Sequence, residues 1–105
     1  MIGAIIGDIV GSYWEFNRIK DKDFTFLSTE KNFFTDDTLM TIAIANAVLD
    51  AGTDFDLLEK KAKEWMLYIG RKYPSGYGSM FKAWLKSDDP QPYNSLGNGA
   101  PMRIS

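Results

Sequence analysis

The sequence predicts an all-α protein, a compact helical domain, and three observations support this. Apolar residues recur every three or four positions along several stretches, which is the spacing of one helix face. Residues that favour helix starts precede those stretches, and glycine or proline follows them. At 105 residues and 45% hydrophobic composition, the chain can bury roughly 65% of its unfolded surface, so a single domain over residues 1–105 is expected.

The first predicted helix begins at the N-terminus, with residues 1–10 expected to be buried. Its glycines, Gly3, Gly7 and Gly11, each lower helix stability by up to ~1 kcal/mol relative to alanine. We therefore expect a neighbouring helix or a ligand to approach this backbone closely. The apolar face of the helix comprises Ile2, Ile5, Ile6, Ile9, Tyr13 and Phe16. Residues 17–34 are predicted to form a long surface loop, anchored by Phe24, Phe26 and Leu27.

The second predicted helix has a clear start and end. Thr35 is a good N-cap, and carboxylates in the first turn, Asp36 and Asp37, interact favourably with the positive end of the helix dipole. Gly52 is expected to end this helix.

Three further helices are predicted. The third is capped by Asp54 and ends at Gly70 or Pro74, and its apolar face comprises Phe55, Leu58, Ala62, Trp65, Met66 and Ile69. A short helix contains the apolar residues Met80, Phe81, Ala83, Trp84 and Leu85. Residues 87–96 are predicted to be loop. A last helix begins near Asn98, with Pro101 in its first turn.

Composition excludes several classes of function. The net charge of −2 argues against a duplex nucleic-acid binder, whose affinity depends on many Lys or Arg contacts to phosphates. The absence of cysteine excludes disulfides and zinc thiolates, and the absence of histidine leaves proton transfer to Asp, Glu, Lys or Tyr. The apolar N-terminal stretch is too short to span a bilayer. A cytoplasmic location and no membrane partner are therefore expected.

Asp8 and Glu15 lie seven residues apart, which places both carboxylates on one face of the first helix, roughly 10 Å apart along its axis. One carboxylate could line the wall of a pocket while the other reaches its floor. Alternatively, both are ordinary solvated acids on the outer face of the helix.

Adjacent carboxylates and flanking hydroxyls occur at the start of the second helix, in Thr35, Asp36, Asp37 and Thr38. These oxygens could coordinate Mg²⁺ or Mn²⁺, and the cation would relieve the repulsion between the two acids. A capped helix with an acidic first turn explains the same residues without any metal.

A glycine-flanked amide loop, Gly97, Asn98 and Gly99, occurs near the end of the chain. Its backbone N–H groups could face an oxyanion, and Arg103 could add a charge-assisted contact. An ordinary turn before a helix would have the same sequence. Taken with the two carboxylate groups, the loop suggests a nucleotide site.

These elements together resemble the N-terminal portion of the ADP-ribosylglycohydrolase family, enzymes that remove ADP-ribose from modified proteins and related conjugates. The resemblance runs through residues 3–15, 34–40, 73–85 and 97–103, in that order along the chain. The Thr-Asp-Asp-Thr and Gly-Asn-Gly-Ala-x-Met-Arg elements are its most specific parts. The resemblance implies an all-α fold and two divalent cations, usually magnesium or manganese.

The resemblance also implies roles for individual residues. Thr35, Asp36 and Asp37 would be metal ligands, and Glu15 the acid near the ribose, so that Glu15 and Asp36 would be the catalytic residues of an active enzyme. The ligand-binding residues would be Asp8, Glu15, Gly97, Asn98, Gly99, Met102 and Arg103, with the glycine loop around the diphosphate.

The family's remaining metal ligands belong to a downstream motif that this sequence does not contain. We therefore expect a truncated pocket that binds and sequesters an ADP-ribose-type nucleotide without hydrolysing it. The alternative is a metal-dependent glycohydrolase whose site is completed by self-association or by a second chain. An apolar face left uncovered in such a domain predicts a homo-oligomer.

Overall fold

The computed structural model describes residues 1–25 and 30–102, without the side chain of Met102, and this part of the chain is helical with no strand. Its five helices are α1 (Ile2–Phe16), α2 (Asp36–Ala51), α3 (Phe55–Lys72), α4 (Ser79–Lys86) and α5 (Gly99–Met102). Helix α2 is central, since α1, α3 and α5 all pack against it, while α4 packs on α3. The predicted all-α fold is confirmed.

The helix starts and ends follow the local signals. The Thr35 side chain accepts a hydrogen bond from the Asp37 amide, and the Asp54 side chain accepts from the first amides of α3. Gly52 ends α2 with a positive φ of 59°, a conformation that glycine adopts without strain. The predicted short helix and the last helix are also present, as α4 and α5.

The hydrophobic core lies between α2, α3 and α4. Its buried residues are Leu39, Met40, Ala43, Ile69, Tyr77, Phe81 and Leu85. Four half-buried residues, Trp65, Met66, Leu67 and Trp84, pack around them. Phe55 was expected on the apolar face of α3, but it is 82% exposed, because it occupies the first position of that helix, away from this core.

Helices α3 and α4 pack closely at Gly70, where a larger residue would displace the Leu85 side chain. A Cβ atom at Gly70 would lie 2.6 Å from Cδ2 of the buried Leu85, closer than carbon atoms can pack. Next to it, Arg71 donates from Nε to the Leu85 carbonyl at 2.8 Å and from its terminal guanidinium nitrogen to the Ser87 carbonyl at 2.9 Å. These contacts fix α4, and therefore the turn that precedes it, against α3.

The expectation that residues 1–10 are buried is wrong. Ser12 is the only buried residue of α1, and Ile2 is 75% exposed. Apart from adjacent residues of α1 itself, no described residue lies within 4 Å of a Cβ built at Gly3, Gly7 or Gly11, so no neighbouring helix makes the close approach that was expected. Helix α1 packs against α2, and its residues Ile2, Ile6 and Phe16 are left exposed in the described part of the chain.

The segment between α1 and α2 is irregular in residues 17–25 and 30–34, as predicted. Phe24 packs edge-on against Trp14, with ring centroids 5.7 Å apart. The other two expected anchors, Phe26 and Leu27, lie outside the described residues. In the part of the chain that the structure describes, no helix has the length and apolar character needed to cross a membrane.

Candidate functional site

The site is organised around the first turn of α2, which a carboxylate from α1 holds in place. Asp8 Oδ1 accepts a hydrogen bond from the Thr35 hydroxyl at 2.6 Å, and Oδ2 accepts from the Thr35 amide at 2.8 Å. Oδ2 also accepts from the amide and the hydroxyl of Thr38, at 3.2 and 2.5 Å. Asp8 is therefore not the solvated acid of the simpler interpretation, because four donors of α2 surround its carboxylate.

This arrangement positions the two carboxylates that follow Thr35. Asp36 is half-buried and Asp37 is exposed, and both belong to the first turn of α2. A side chain added at Gly76 would begin 3.8 Å from Asp36 Oδ1, so the turn before α4 runs directly past this carboxylate. Asp36 therefore faces the α4 side of the molecule.

A small groove of about 290 Å³ lies between α1 and α2. Its lining consists of Ala4, Gly7, Asp8, Gly11, Ser12, Glu15, Asp37 and Thr41. The groove confirms that Asp8 and Glu15 share one face of α1. Since a Cβ at Gly7 or Gly11 would meet nothing within 4 Å, the glycines form an open wall of this groove.

A larger cavity of about 710 Å³ lies on the other side of the α2 turn. From α2 it is lined by Asp36 and Asp37. Residues 95–100, in the loop before α5 and at the start of that helix, form another part of its lining and include Gly97, Asn98 and Gly99. Its apolar wall comprises Met66, Met80, Phe81, Trp84, Pro92 and Tyr93. The structure thus brings together two of the three predicted motifs, which are about sixty residues apart in the sequence.

Asp37 lines both cavities, whereas Glu15 lines only the small groove and Asn98 only the large cavity. Asp37 therefore stands between a groove with an acidic wall and a cavity with apolar and amide walls, and Asp36 lines the large cavity beside it. A ligand in the large cavity could place its polar end at these carboxylates while its flat apolar part lies against the aromatic wall.

The oxygen atoms at the start of α2 suit a hard cation, but they provide only part of a coordination shell. Two carboxylates and the Thr35 hydroxyl are fewer than the six oxygens of octahedral Mg²⁺, which would keep several waters. In residues 1–25 and 30–102, no three Asp, Glu, His or Cys side chains form a metal cluster.

The structure places the predicted site residues in different parts of the molecule. The large cavity is lined by Asp36, Asp37, Gly97, Asn98 and Gly99, and the adjoining groove by Asp8 and Glu15. Thr35 is buried and lines neither of them. Arg103 lies outside the described residues, and so does the side chain of Met102. The roles proposed for all of these residues in binding or catalysis stay predictions.

Sequence reasoning missed two features of the site. Trp84, assigned only to the apolar side of a short helix, lines the large cavity while its ring stacks on Phe81 at 5.4 Å between centroids. Tyr93 was placed in a plain loop, yet it contributes to the same wall. An aromatic residue next to prolines in an otherwise polar loop was the available signal for Tyr93.

The two lysines whose pKa is raised, Lys61 and Lys72, line neither of these cavities. The hydrogen bond from Lys61 to Glu64, reinforced by the charge of Glu64, raises the pKa of Lys61 on α3. Lys61 lines neither the groove nor the large cavity. The only side chains with a formal charge that line these two cavities are therefore carboxylates, among the residues described.

The sequence of this chain is similar to that of known proteins. The model of one family, described as ADP-ribosylglycohydrolase, matches residues 1–105. The human protein ADP-ribosylhydrolase ARH3 (Homo sapiens) is 28% identical over 132 aligned residues, a match that covers 100% of this chain and 36% of that relative. The chain thus spans about a third of the length of this curated relative. No solved structure was found to match it.

Proposed function

This chain belongs to the ADP-ribosylglycohydrolase family, and from that membership we propose that it binds an ADP-ribose-type nucleotide in the large cavity. One observation supports the proposal most directly: Asp36 and Asp37 line the same cavity as Gly97, Asn98 and Gly99. A volume of about 710 Å³ falls within the range of small-molecule sites, roughly 300–1,000 Å³.

The walls of the cavity match the parts of such a ligand. The N–H of Gly97 donates to the Ser95 hydroxyl at 3.1 Å, so the backbone N–H groups that this loop can bring close to a diphosphate are those of Asn98 and Gly99. The rings of Trp84 and Tyr93 offer apolar surface to a base. The ribose hydroxyls would then lie toward Asp36 and Asp37, which can accept their hydrogen bonds directly or through a cation.

The cation in this proposal is Mg²⁺ or Mn²⁺, held by Thr35, Asp36 and Asp37. A bound dication would offset the repulsion between the carboxylates and a diphosphate, and would supply Lewis-acid chemistry at the ribose. We place binding and sequestration before hydrolysis, because binding requires only the walls described above. The cytoplasmic location expected from the sequence stays a prediction.

Binding is tested with two asparagine variants. ADP-ribose is expected to raise the melting temperature of the protein, with or without EDTA, because the loop and the aromatic wall do not depend on a cation. In Asn98→Ala we expect this increase to shrink, since Asn98 lines the cavity. Asn94→Ala, four residues earlier in the same exposed loop and outside the lining, is the matched control. No increase in the wild type, or equal loss in both variants, would contradict the proposal.

Hydrolysis is the second candidate function, favoured by the position of Asp37 between the cavity and the groove that contains Glu15. In this alternative, self-association or a second chain completes the metal site. Chromatography after incubation of an ADP-ribosylated peptide with Mg²⁺ or Mn²⁺ separates the two functions. Metal-dependent release of ADP-ribose would establish the enzyme, and recovery of the intact conjugate supports binding alone.

We also propose a homo-oligomer, formed through apolar surface that the described residues leave exposed. Helix α2 carries no charged residue between residues 39 and 49, yet Ile42, Val48 and Leu49 are exposed on it. On α1, Ile2 and Ile6 are exposed as well. A helix that is apolar on all sides is normally buried on all sides, so a further element is expected to cover this surface.

Size-exclusion chromatography with light scattering measures the predicted association directly. We expect a mass of at least twice the monomer's 11.9 kDa at micromolar concentration. Replacing the exposed Leu49 by lysine should shift the distribution toward monomer, because the charge would have to be buried in the interface. A monomeric wild type would exclude the oligomer.

A further inference from the structure

The large cavity adjoins a further groove, which lies between α3 and the loop after α4 and has a volume of about 480 Å³. Three residues, Met66, Trp84 and Pro92, line both spaces, and we call them the shared wall. The Trp84 ring stacks on Phe81 of the hydrophobic core, which fixes its position. A ligand in the large cavity therefore needs to pass only this wall to reach the groove.

Positive charge lines this groove, which we call the lysine groove, on the side of the shared wall. The face of α3 that lines it carries Met66 and, toward the N-terminus, Lys63 and Lys60. Since an α-helix rises about 1.5 Å per residue, these lysines lie ~4.5 and ~9 Å from Met66 along the helix axis. Two acids, Glu59 and Asp56, also line the groove, but they lie farther along that axis, at ~10 and ~15 Å. A group that enters from the large cavity therefore meets the lysines first.

Both lysines are available to a ligand. Among the described residues, Lys60 makes no ion pair. Lys63 Nζ lies 3.8 Å from Asp89 Oδ1, but the two side chains are 43% and 83% exposed. Ion pairs as exposed as this one contribute little, because water competes with them. A phosphate monoester carries a charge of about −1.5 to −2 at neutral pH, so it competes effectively with the single carboxylate of Asp89.

We propose that the lysine groove binds an additional phosphate on the adenosine side of the nucleotide, with Lys60 and Lys63 as its cationic contacts. This inference rests on the proposed function, which places the adenine base against Trp84, a residue of the shared wall. The other ribose then lies toward Asp36, so the adenosine is the part of the ligand closest to the lysines.

The charges that line the three spaces are consistent with this orientation. In the part of the chain that the structure describes, Lys60 and Lys63 are the only positively charged side chains among their linings. An anionic group that projects beyond the base would therefore find its counter-charges only in the lysine groove. The ligand class is an ADP-ribose-type nucleotide with a phosphomonoester on its adenosine ribose, and the two lysines are its specificity-determining residues.

The test compares the affinities for ADP-ribose and ADP-ribose 2′-phosphate, measured by isothermal titration calorimetry. We expect the wild type to bind the 2′-phosphate about 5- to 30-fold more tightly, the range for one or two partly exposed ion pairs. In Lys60→Gln/Lys63→Gln this preference should disappear. Glutamine has a helix propensity close to that of lysine, so α3 should still form in this variant.

Two controls are matched in charge and exposure. Lys82→Gln/Lys86→Gln removes the same two charges from α4, where neither lysine lines the large cavity or the lysine groove, and should keep the preference. Asp89→Asn should increase the preference, because it releases Lys63 from its partner. Asp88→Asn, at the neighbouring exposed position, should leave the preference unchanged.

Equal affinity of the wild type for the two ligands would overturn the inference while leaving the proposed function in place. Equal loss of preference in the two double-lysine variants would also overturn it, since the effect would then reflect overall charge. If the wild type binds the 2′-phosphate but not ADP-ribose, and loses this binding in Lys60→Gln/Lys63→Gln, the lysine groove is confirmed while the proposed ligand of the large cavity is wrong. Binding of neither compound would contradict both proposals.

Discussion

Replacing Met40 by alanine is expected to lower the free energy of unfolding by about 2–5 kcal/mol, the usual cost of removing a large buried side chain. Met40 is 0% exposed and is the largest fully buried side chain among the described residues. It lies on α2, the helix against which α1, α3 and α5 all pack. Because small domains are stable by only about 5–15 kcal/mol, this loss would be a large fraction of the total.

Urea unfolding, followed by circular dichroism, measures this effect, and Leu49→Ala is the matched control on the same helix. Leu49 is 78% exposed, so its replacement should change the free energy by less than about 0.5 kcal/mol in the monomer. Equal losses in the two variants at low protein concentration would contradict the core assignment. A loss in Leu49→Ala that appears only at high concentration would instead indicate burial of Leu49 between subunits.

The sequence predicts the helices well because their starts and ends depend on local chemistry. Thr35 and Asp54 each cap the next helix by accepting hydrogen bonds from amides two or three residues further along the chain. Gly52 ends α2 through its own backbone conformation. Such signals involve neighbours in the chain, so they are visible without a structure. The motifs at the start of α2 and in the loop before α5 were visible for the same reason.

The sequence does not show which residues, far away along the chain, contact each motif. The hydrogen bonds that Thr35 donates to Asp8 span 27 residues of sequence, and nothing in either stretch specifies that partner. Helical spacing likewise identified Ile2 as part of an apolar face without showing whether another element covers it. Partner choice and burial depend on tertiary packing, which the periodicity of one helix does not encode.

Replacing both carboxylates, in Asp36→Asn/Asp37→Asn, is expected to weaken Mn²⁺ binding by at least about 100-fold, since the number of charged ligands strongly tunes the affinity of oxygen sites for divalent cations. Asparagine keeps the size of each side chain and one acceptor oxygen, so the first turn of α2 should still form. The Thr35 hydroxyl remains, but without the two negative charges it cannot compensate for the dehydration of the cation.

The control is Asp56→Asn/Glu59→Gln, which removes the same two charges from the start of α3. Asp56 and Glu59 line a different cavity, beside Lys60 and Lys63, and neither faces the α2 turn. This control variant should bind Mn²⁺ as the wild type does, which excludes a general effect of net charge on cation binding. If both double variants lost affinity equally, the cation would be attracted by overall charge, and the assignment of Asp36 and Asp37 as its ligands would be wrong.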